Sequence, residues 1–250
     1  MHLMNLEKEN YYLEQEYLSD IELYYSQKIS GDNIELSGDE SKHAARVMRH
    51  IIGDKLHVTD GQGNYFQTLI SEISDNSISA RIQNRKNYKN DLENIIFCFP
   101  RLKSNDRFEF EIEKSIELGI TNFVIFNSSR TIPKGEKLER WNKIALAAMK
   151  QSLRTYLPNI KYLNSFEKIK SFEGNKIILE QKGNDSIINF LRLVKDKLLS
   201  EKFYFIFGPE GGLSQNELNL ISDCKKLTLT PNRLRAETAV IATATVISLL

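Results

Sequence analysis

The stretch from residue 203 to residue 217 constrains the fold of this chain more than any other part of its sequence. It begins with the apolar, aromatic run 203–207, which has the length and composition of a buried strand. The loop Gly208-Pro209-Glu210-Gly211-Gly212 follows at once, and its three glycines let the backbone approach a ligand closely. Ser214 and Glu217 then form the Ser-x-x-Glu pattern of a capping box, which starts a helix. We therefore expect a strand, a glycine loop and a helix in succession, either as a ligand cradle or as a tight turn without a ligand.

Apolar runs alternate with helical periodicity from residue 95 onward, which predicts an α/β domain. The predicted strands are 95–99, 122–126, 176–180, 203–207 and 226–229, and the predicted helices are 103–118, 137–154, 186–200, 214–224 and 236–250. The strands are continuously apolar, as expected for a parallel sheet that helices cover on both faces. Ligands of such sheets bind beyond the carboxyl ends of the strands, which favours the ligand interpretation of the glycine loop.

The chain before residue 90 has shorter, β-like signals that predict a small barrel. Predicted strands are 34–36, 55–59, 65–70 and 77–82, with a hairpin turn at 60–64 and one short helix at 39–49. Residues 84–90 have the composition of a linker, and residues 1–20 are polar and lack the apolar core of a signal peptide. We therefore expect a polar extension at 1–20, a small β domain at 21–88 and the α/β domain at 89–250.

Charge and cysteine content narrow the classes of function. The 34 basic and 33 acidic residues nearly cancel, so any binding to nucleic acid must come from local clusters. Cys98 and Cys224 show no metal-ligand spacing, which predicts no metal site and fits the reducing cytoplasm. The apolar C-terminal segment 236–250 is shorter than the roughly 20 residues of a membrane span, so we expect a cytoplasmic protein that does not enter a membrane.

A second loop, 229–239, also follows a predicted strand and runs into a helix. It carries Arg233, Arg235 and Glu237, and together with the glycine loop it would close a pocket with apolar walls and a charged rim. The alternative is that Glu237 only begins the last helix favourably and that the arginines are solvated. The chain lacks the sequence fingerprints of P-loop and Rossmann nucleotide sites and of the hydrolase nucleophile elbow, so these chemistries are not expected.

Basic residues form three local clusters. They are Lys42, His43, Arg46, Arg49 and His50 at helical spacings, Arg101, Lys103 and Arg107 after the first α/β strand, and Lys150 and Arg154 near Gln151. A solvated surface explains any one of them. Three such clusters beside a ligand loop indicate contact with a polyanion through its phosphates.

Five motifs in a fixed order resemble the bacterial 16S ribosomal RNA uridine-N3 methyltransferases of the SPOUT class. After Lys103 these are KSIELGI at 114–120, SSR at 128–130, AAMKQSLR at 147–154 with Pro158, GPEGGLS at 208–214 with Glu217, and LRAETA at 234–239. The resemblance covers residues 22 to 250. It implies an α/β domain tied in a trefoil knot, a PUA-like N-terminal barrel, S-adenosylmethionine as cofactor, a homodimer, and 16S rRNA or the assembled small ribosomal subunit as partner.

The resemblance also implies roles for individual residues. Those expected at the cofactor are Leu179, Gly208, Pro209, Glu210, Gly211, Gly212, Leu229, Leu234 and Thr238. Those expected at the RNA are His43, Arg46, Arg49, Lys103, Arg130, Gln151 and Arg154. Where the family has Gly and then Pro-Arg-Ile, this chain has Thr230 and then Pro231-Asn232-Arg233, so Arg235 is the better catalytic candidate.

Catalysis at uridine N3 requires loss of its proton or stabilisation of the anion that results at O2 or O4. Our hypothesis is that Arg235 stabilises this anion and that Glu237 positions Arg235. Two alternatives stay open from the sequence. One is a SPOUT methyltransferase that modifies another position, in tRNA or 23S rRNA, and the other is an RNA-binding protein without catalytic activity.

Overall fold

The structure is a computed structural model and describes residues 21–250 of the chain. The predicted polar extension at residues 1–20 lies outside the described residues. Two sheets organise the described part, one of six strands and one of seven. The smaller sheet comes first in the chain, and the larger one carries the site described below.

The N-terminal part is built on the six-stranded sheet. Its elements are β1 (Leu23–Tyr25), β2 (Ile29–Ser30), β3 (Asn33–Ser37), α1 (Asp39–Lys42), a π-helical turn (His43–Val47), β4 (Lys55–Thr59), β5 (Asn64–Ile73) and β6 (Ser77–Asn87). The strand order is β1-β4-β5-β6-β3-β2, and every pair except β1 with β4 is antiparallel. Alternate residues such as Ile34, Leu36 and Val58 point into a common core. The predicted hairpin between β4 and β5 is confirmed.

Two details of this part differ from expectation. The predicted helix at 39–49 divides into α1 and the π-helical turn, and the positive φ of 58° at Arg49 ends it. The predicted linker at 84–90 is strand as far as Asn87, where Arg85 pairs with Phe66 of β5. Residues 84–87 are exposed and polar, so their composition resembles that of a linker although their backbone continues the ladder.

The C-terminal part is an α/β domain with an entirely parallel sheet, as predicted. Its elements are β7 (Ile95–Pro100), α2 (Asn105–Glu117), β8 (Asn122–Phe126), α3 (Leu138–Gln151), β9 (Asn159–Leu163), β10 (Asn175–Leu179), β11 (Asp185–Ser186), α4 (Ile187–Val194), β12 (Phe203–Ile206), α5 (Gln215–Leu220), β13 (Lys225–Thr228) and α6 (Ala236–Ser248). Short 3₁₀ helices span Phe166–Ser171 and Lys195–Leu199. The strand order is β11-β13-β10-β12-β7-β8-β9.

Apolar side chains pack on both faces of this sheet, which explains the continuous apolar strands. Within β7, Phe97 belongs to one core cluster, whereas Cys98 belongs to the cluster on the opposite face. Helix α2 contributes Phe108, Ile112 and Ile116, one per turn, to the first cluster.

The chain threads beneath one of its own loops. Strands β10 and β11 flank β13 on opposite sides, so residues 180–184 must cross over β13 to connect them. Hydrogen bonds from Glu180 N to Leu227 O and from Asn184 N to Lys226 O hold this loop on the strand. A Cβ at Gly183 would lie 2.5 Å from Thr228 N, so the crossing requires glycine. This threading is the knotted arrangement that the resemblance implies.

The two sheets contact each other through the segment that follows α3. Gly63 N donates to Thr155 O, and Tyr156 Oη donates to Tyr88 O. Lys150 on α3 forms an ion pair with Glu40 on α1 at 2.6 Å. The small sheet is therefore attached at the end of α3, while the division of domains at residue 88 remains our proposal.

Candidate functional site

The carboxyl ends of β10, β12 and β13 surround a cavity of about 790 Å³. Its wall is formed mainly by three segments, 178–181, 207–213 and 228–239, each of which continues from one of these strands. Such a volume is typical of sites for small molecules. The two predicted loops do meet here, although they follow β12 and β13, which are not neighbours but flank β10.

The glycine loop folds back on itself and presents backbone to the cavity. Gly212 N donates to Pro209 O at 2.7 Å, and Gly212 has a positive φ of 70°. A Cβ at Gly208 would lie 3.0 Å from Leu213 N, so this position has little room for a side chain. Gly211, by contrast, has ordinary space next to Arg130. The loop conformation therefore depends on glycine at two of its three glycine positions.

Glu217 stabilises the start of α5, the helix that follows the glycine loop. The predicted capping box is confirmed, since Ser214 N donates to Glu217 Oε2 at 2.8 Å and Glu217 N donates to Ser214 Oγ. The same carboxylate also accepts hydrogen bonds from Ser128 Oγ and from Ser129 N and Oγ, in the loop after β8. Burial alone would raise the pKa of the Glu217 carboxyl, but these hydrogen bonds outweigh it and lower the pKa below its ordinary value.

Two further contacts hold the glycine loop from outside. Arg130 Nη1 donates to Gly211 O at 2.6 Å, and the backbone N of Lys103 donates to Glu210 Oε1 at 2.9 Å. Arg130 lines the cavity, while the Lys103 side chain is exposed beside it. Both residues were predicted to contact RNA, and the structure places them at the rim of the cavity.

The charged groups of the cavity are paired differently from our hypothesis. Glu237 is 9 % exposed, and its Oε1 lies 3.6 Å from Arg107 Nε. Among residues 21–250 no hydrogen bond or ion pair joins Glu237 to Arg235, which lines the cavity with an exposed side chain. Arg107 was seen in the sequence only as part of a basic cluster. Its position just after β7, at the same edge of the sheet, was the signal that it belongs to the site.

Nearly all residues predicted at the cofactor line the cavity. They are Leu179, Gly208, Pro209, Glu210, Gly211, Gly212, Leu229 and Leu234, and the catalytic candidates Arg235 and Glu237 join them. Thr238 is exposed and lies outside the lining. The reason is helix geometry, because each residue of α6 is rotated by about 100° from the one before it. Asn232 and Arg233, at the departure from the family pattern, also line the cavity.

The other predicted RNA residues lie away from the cavity. Arg46 and Arg49 are exposed on the N-terminal part, and half-buried His43 has its Nδ1 3.8 Å from Glu22 Oε1. Gln151 is exposed at the end of α3. Arg154 donates from Nη2 to the carbonyl oxygen of Glu117, so its guanidinium stabilises the C-terminus of α2.

Within residues 21–250 no group of three or more His, Cys, Asp or Glu side chains is arranged to hold a metal ion. In the same part of the chain, no helix is both long enough and apolar enough to cross a membrane.

The chain has recognisable relatives in sequence and in structure. Residues 89–248 match the RNA methyltransferase domain family, and residues 36–83 match the PUA domain of RNA methyltransferases. Ribosomal RNA small subunit methyltransferase E of Bacillus subtilis is 28% identical over 232 residues, which cover 88% of this chain and 91% of the relative.

Two solved structures have the same fold. A predicted RNA methyltransferase from Thermotoga maritima superposes with a TM-score of 0.70 at 25% identity, covering 91% of this chain and 97% of the other. Ribosomal RNA small subunit methyltransferase E from Neisseria gonorrhoeae, bound to S-adenosyl methionine, superposes with a TM-score of 0.79 at 23% identity, covering 90% and 95%.

Proposed function

Since this chain belongs to the RNA methyltransferase family through residues 89–248, we propose that it transfers the methyl group of S-adenosylmethionine to N3 of a uridine in 16S ribosomal RNA. The observation that carries the proposal is the cavity at the carboxyl ends of β10, β12 and β13, with the glycine loop as one wall. The names of the relatives support a ribosomal RNA of the small subunit as substrate. The choice of uridine N3 rests on the five motifs in their order.

The cavity suits S-adenosylmethionine in size and in chemistry. Its apolar lining, which includes Ile178, Leu179, Phe207 and Leu229, matches the adenine ring and the methionine chain. Glu210 and Glu237 supply negative charge for a ligand with a sulfonium and an ammonium group. A Cβ at Gly208 would crowd the backbone of Gly212 and Leu213, so the glycine loop presents backbone rather than side-chain atoms at this position. We infer that these residues hold the cofactor, which supplies an electrophilic methyl group when bound.

The residues of the chain have to prepare the uridine. N3 is a poor nucleophile while it carries its proton, so the site must favour the deprotonated base. Arg235, which is exposed and lines the cavity, is our candidate for stabilising negative charge on O2 or O4. Glu237 forms an ion pair with Arg107 on α2, and Arg107 also lines the cavity. The guanidinium of Arg107 is therefore a second cation in the same cavity as Arg235. A paired uridine would hide N3, so the target must be unpaired or flipped out of a helix.

We propose that the RNA extends from the cavity to the N-terminal part. Arg130 lines the cavity and Lys103 lies beside it, and Arg46 and Arg49 are exposed cations in and after the π-helical turn of the N-terminal part. The match of residues 36–83 to a PUA domain of RNA methyltransferases supports this path. We also propose a cytoplasmic homodimer, because the resemblance carried by the five motifs implies one.

Mass spectrometry of RNA tests the reaction directly. Purified protein is incubated with methyl-labelled S-adenosylmethionine and with either naked 16S rRNA or assembled small subunits, and the RNA is digested to nucleosides. We expect the label in 3-methyluridine, at a single position that primer extension locates as a stop. Label in a ribose or in guanine would mean another methyltransferase specificity. RNA binding without any label would mean a non-catalytic RNA-binding protein.

Arg235→Ala tests the catalytic assignment. We expect turnover to fall by about 10²–10³-fold, as when one anion-stabilising donor is lost, while the affinity for S-adenosylmethionine measured by calorimetry stays within about twofold. Arg233→Ala is the matched control, because Arg233 lines the same cavity two residues away, and it should affect turnover much less. Near-normal turnover of Arg235→Ala with intact cofactor binding would refute the role.

A further inference from the structure

A second glutamate lies buried behind the cavity, and the chemistry described so far does not use it. Glu111 on α2 is 0 % exposed, and neither of its carboxyl oxygens has a hydrogen-bond partner. Burial raises the pKa of Glu111 well above its ordinary range, and the negative charges of Glu237 and Glu210 raise it further. Both effects favour the protonated, neutral form of the Glu111 carboxyl. This form carries a proton to donate and has no assigned acceptor.

The Glu237 carboxylate, in turn, lacks a hydrogen-bond donor at one of its oxygens. Its Oε1 faces Arg107 Nε at 3.6 Å, but its Oε2 is buried and has no hydrogen-bond donor. The helices that carry the two glutamates, α2 and α6, pack against each other. Arg107 and Glu111 are four residues apart on α2 and so lie on the same side of that helix, one turn apart. Glu237 thus lies against a face of α2 that offers a guanidinium at one turn and a neutral carboxyl at the next.

We propose that Glu111 is a positioning residue that donates a hydrogen bond from its carboxyl O–H to Glu237 Oε2. This bond holds Glu237 with Oε1 directed at Arg107 and keeps the ion pair at the wall of the cavity. The charged groups that act on Glu111 are Glu237 on α6 and Glu210 in the glycine loop, and Arg107 lies one turn before Glu111 on its own helix. Among residues 21–250, the only other buried polar side-chain atom of α2 without a hydrogen-bond partner is Ser115 Oγ, one further turn along. The inference rests on the proposed function only in treating this cavity as the catalytic one.

Two substitutions separate positioning from packing. Glu111→Gln keeps an N–H donor for Glu237 but cannot ionise, whereas Glu111→Leu keeps similar volume and removes the donor. We expect Glu111→Leu to melt close to wild type, because the gain from removing a buried carboxyl offsets the loss of its one hydrogen bond to Glu237. Its turnover should nevertheless fall, between about tenfold and a hundredfold, because Glu237 and Arg107 are no longer held in place. Glu111→Gln should recover most of that loss.

Infrared spectroscopy supplies a readout that does not depend on methyl transfer. The wild-type protein at neutral pH should show the C=O stretch of a protonated carboxyl, which Glu111→Gln lacks and which Glu237→Gln shifts. Absence of this band, or no response to Glu237→Gln, would overturn the proposal. So would full turnover of Glu111→Leu, or parallel losses of stability and turnover in both variants. A wild-type protein that methylates no RNA would refute the proposed function instead, and the infrared result would still decide on Glu111.

Discussion

At the scale of single residues, Glu111 and Glu217 illustrate how surroundings decide the state of a carboxyl group. Both are buried, yet Glu217 accepts hydrogen bonds from three serines, whereas Glu111 has no donor and faces two other glutamates. The pKa is therefore lowered for Glu217 and raised for Glu111. The surroundings of Glu217 favour its anion, whereas those of Glu111 favour its protonated form.

Glu217→Gln should destabilise the protein in a pH-dependent way. A carboxyl whose pKa is lowered by folding contributes stability above its unfolded pKa, and this contribution is lost as the pH falls through the folded value. At pH 7 we expect the free energy of unfolding to drop by roughly 1.5–3 kcal/mol, the range for hydrogen bonds to charged groups. Urea titrations should give a smaller difference from wild type near pH 3. A difference that is independent of pH would contradict the assignment, and exposed Glu139→Gln serves as the control.

At the scale of elements, the cavity depends on two features of the sheet. Strands β10, β12 and β13 end at the same edge, and β13 passes beneath the loop 180–184. The loop 180–184 crosses β13 and also supplies Glu180 and Gln181 to the cavity. A side chain has no room at Gly183 in this crossing, because its Cβ would overlap the backbone of Leu227 and Thr228. The knot and the binding site therefore share one loop.

Gly183→Ala should disturb the threading. Its Cβ would overlap main-chain atoms of β13, which cannot shift as the end of a flexible side chain can. We expect a loss of about 1–3 kcal/mol or more, from overpacking, together with a lower refolding yield after urea denaturation. Gly211→Ala is the matched control, since its Cβ would lie 3.6 Å from Arg130 Cδ. Equal stability of the two variants would show that the crossing tolerates a side chain.

At the scale of the whole molecule, a few contacts determine how the small sheet is held beside the cavity domain. Lys150 and Glu40 form their 2.6 Å ion pair with only 18 % and 16 % of their side chains exposed. Glu40 Oε2 also accepts a hydrogen bond from Tyr25 N. The pair thus links α3 to the beginning of the N-terminal part, where the proposed RNA surface lies.

Lys150→Ala should cost roughly 2 kcal/mol of unfolding free energy, because it leaves the Glu40 carboxylate half-buried without its cation. Lys143→Ala on the same helix is the control. Lys143 pairs with Glu139 at 2.8 Å, but both side chains are largely exposed, so we expect at most about 0.5 kcal/mol. Thermal and urea denaturation of the two variants measure the difference. If both variants lose equally little, the ion pair does not hold the domains together.

Sequence patterns predicted the interior strands better than the edges. The five predicted strands of the α/β domain correspond to β7, β8, β10, β12 and β13, and all five are interior. Strands β9 and β11 were missed, and they are the two edges of the parallel sheet. Asn159 and Lys161 of β9 are exposed and polar, and β11 has only two residues. An edge strand pairs with a neighbour on one side only, and its other side faces solvent. Its residues are therefore less uniformly apolar, so an apolar run predicts an edge strand less well.

What the sequence determined by itself was local. The capping box at Ser214 and Glu217, the glycine loop before it and the buried strands depend on residues only a few positions apart. The tertiary structure alone decided that β10 lies between β12 and β13, that Glu237 pairs with Arg107 rather than Arg235, and that Glu111 is buried without a donor. These properties depend on contacts between distant segments and on the exclusion of water, which pattern and spacing along a chain do not encode.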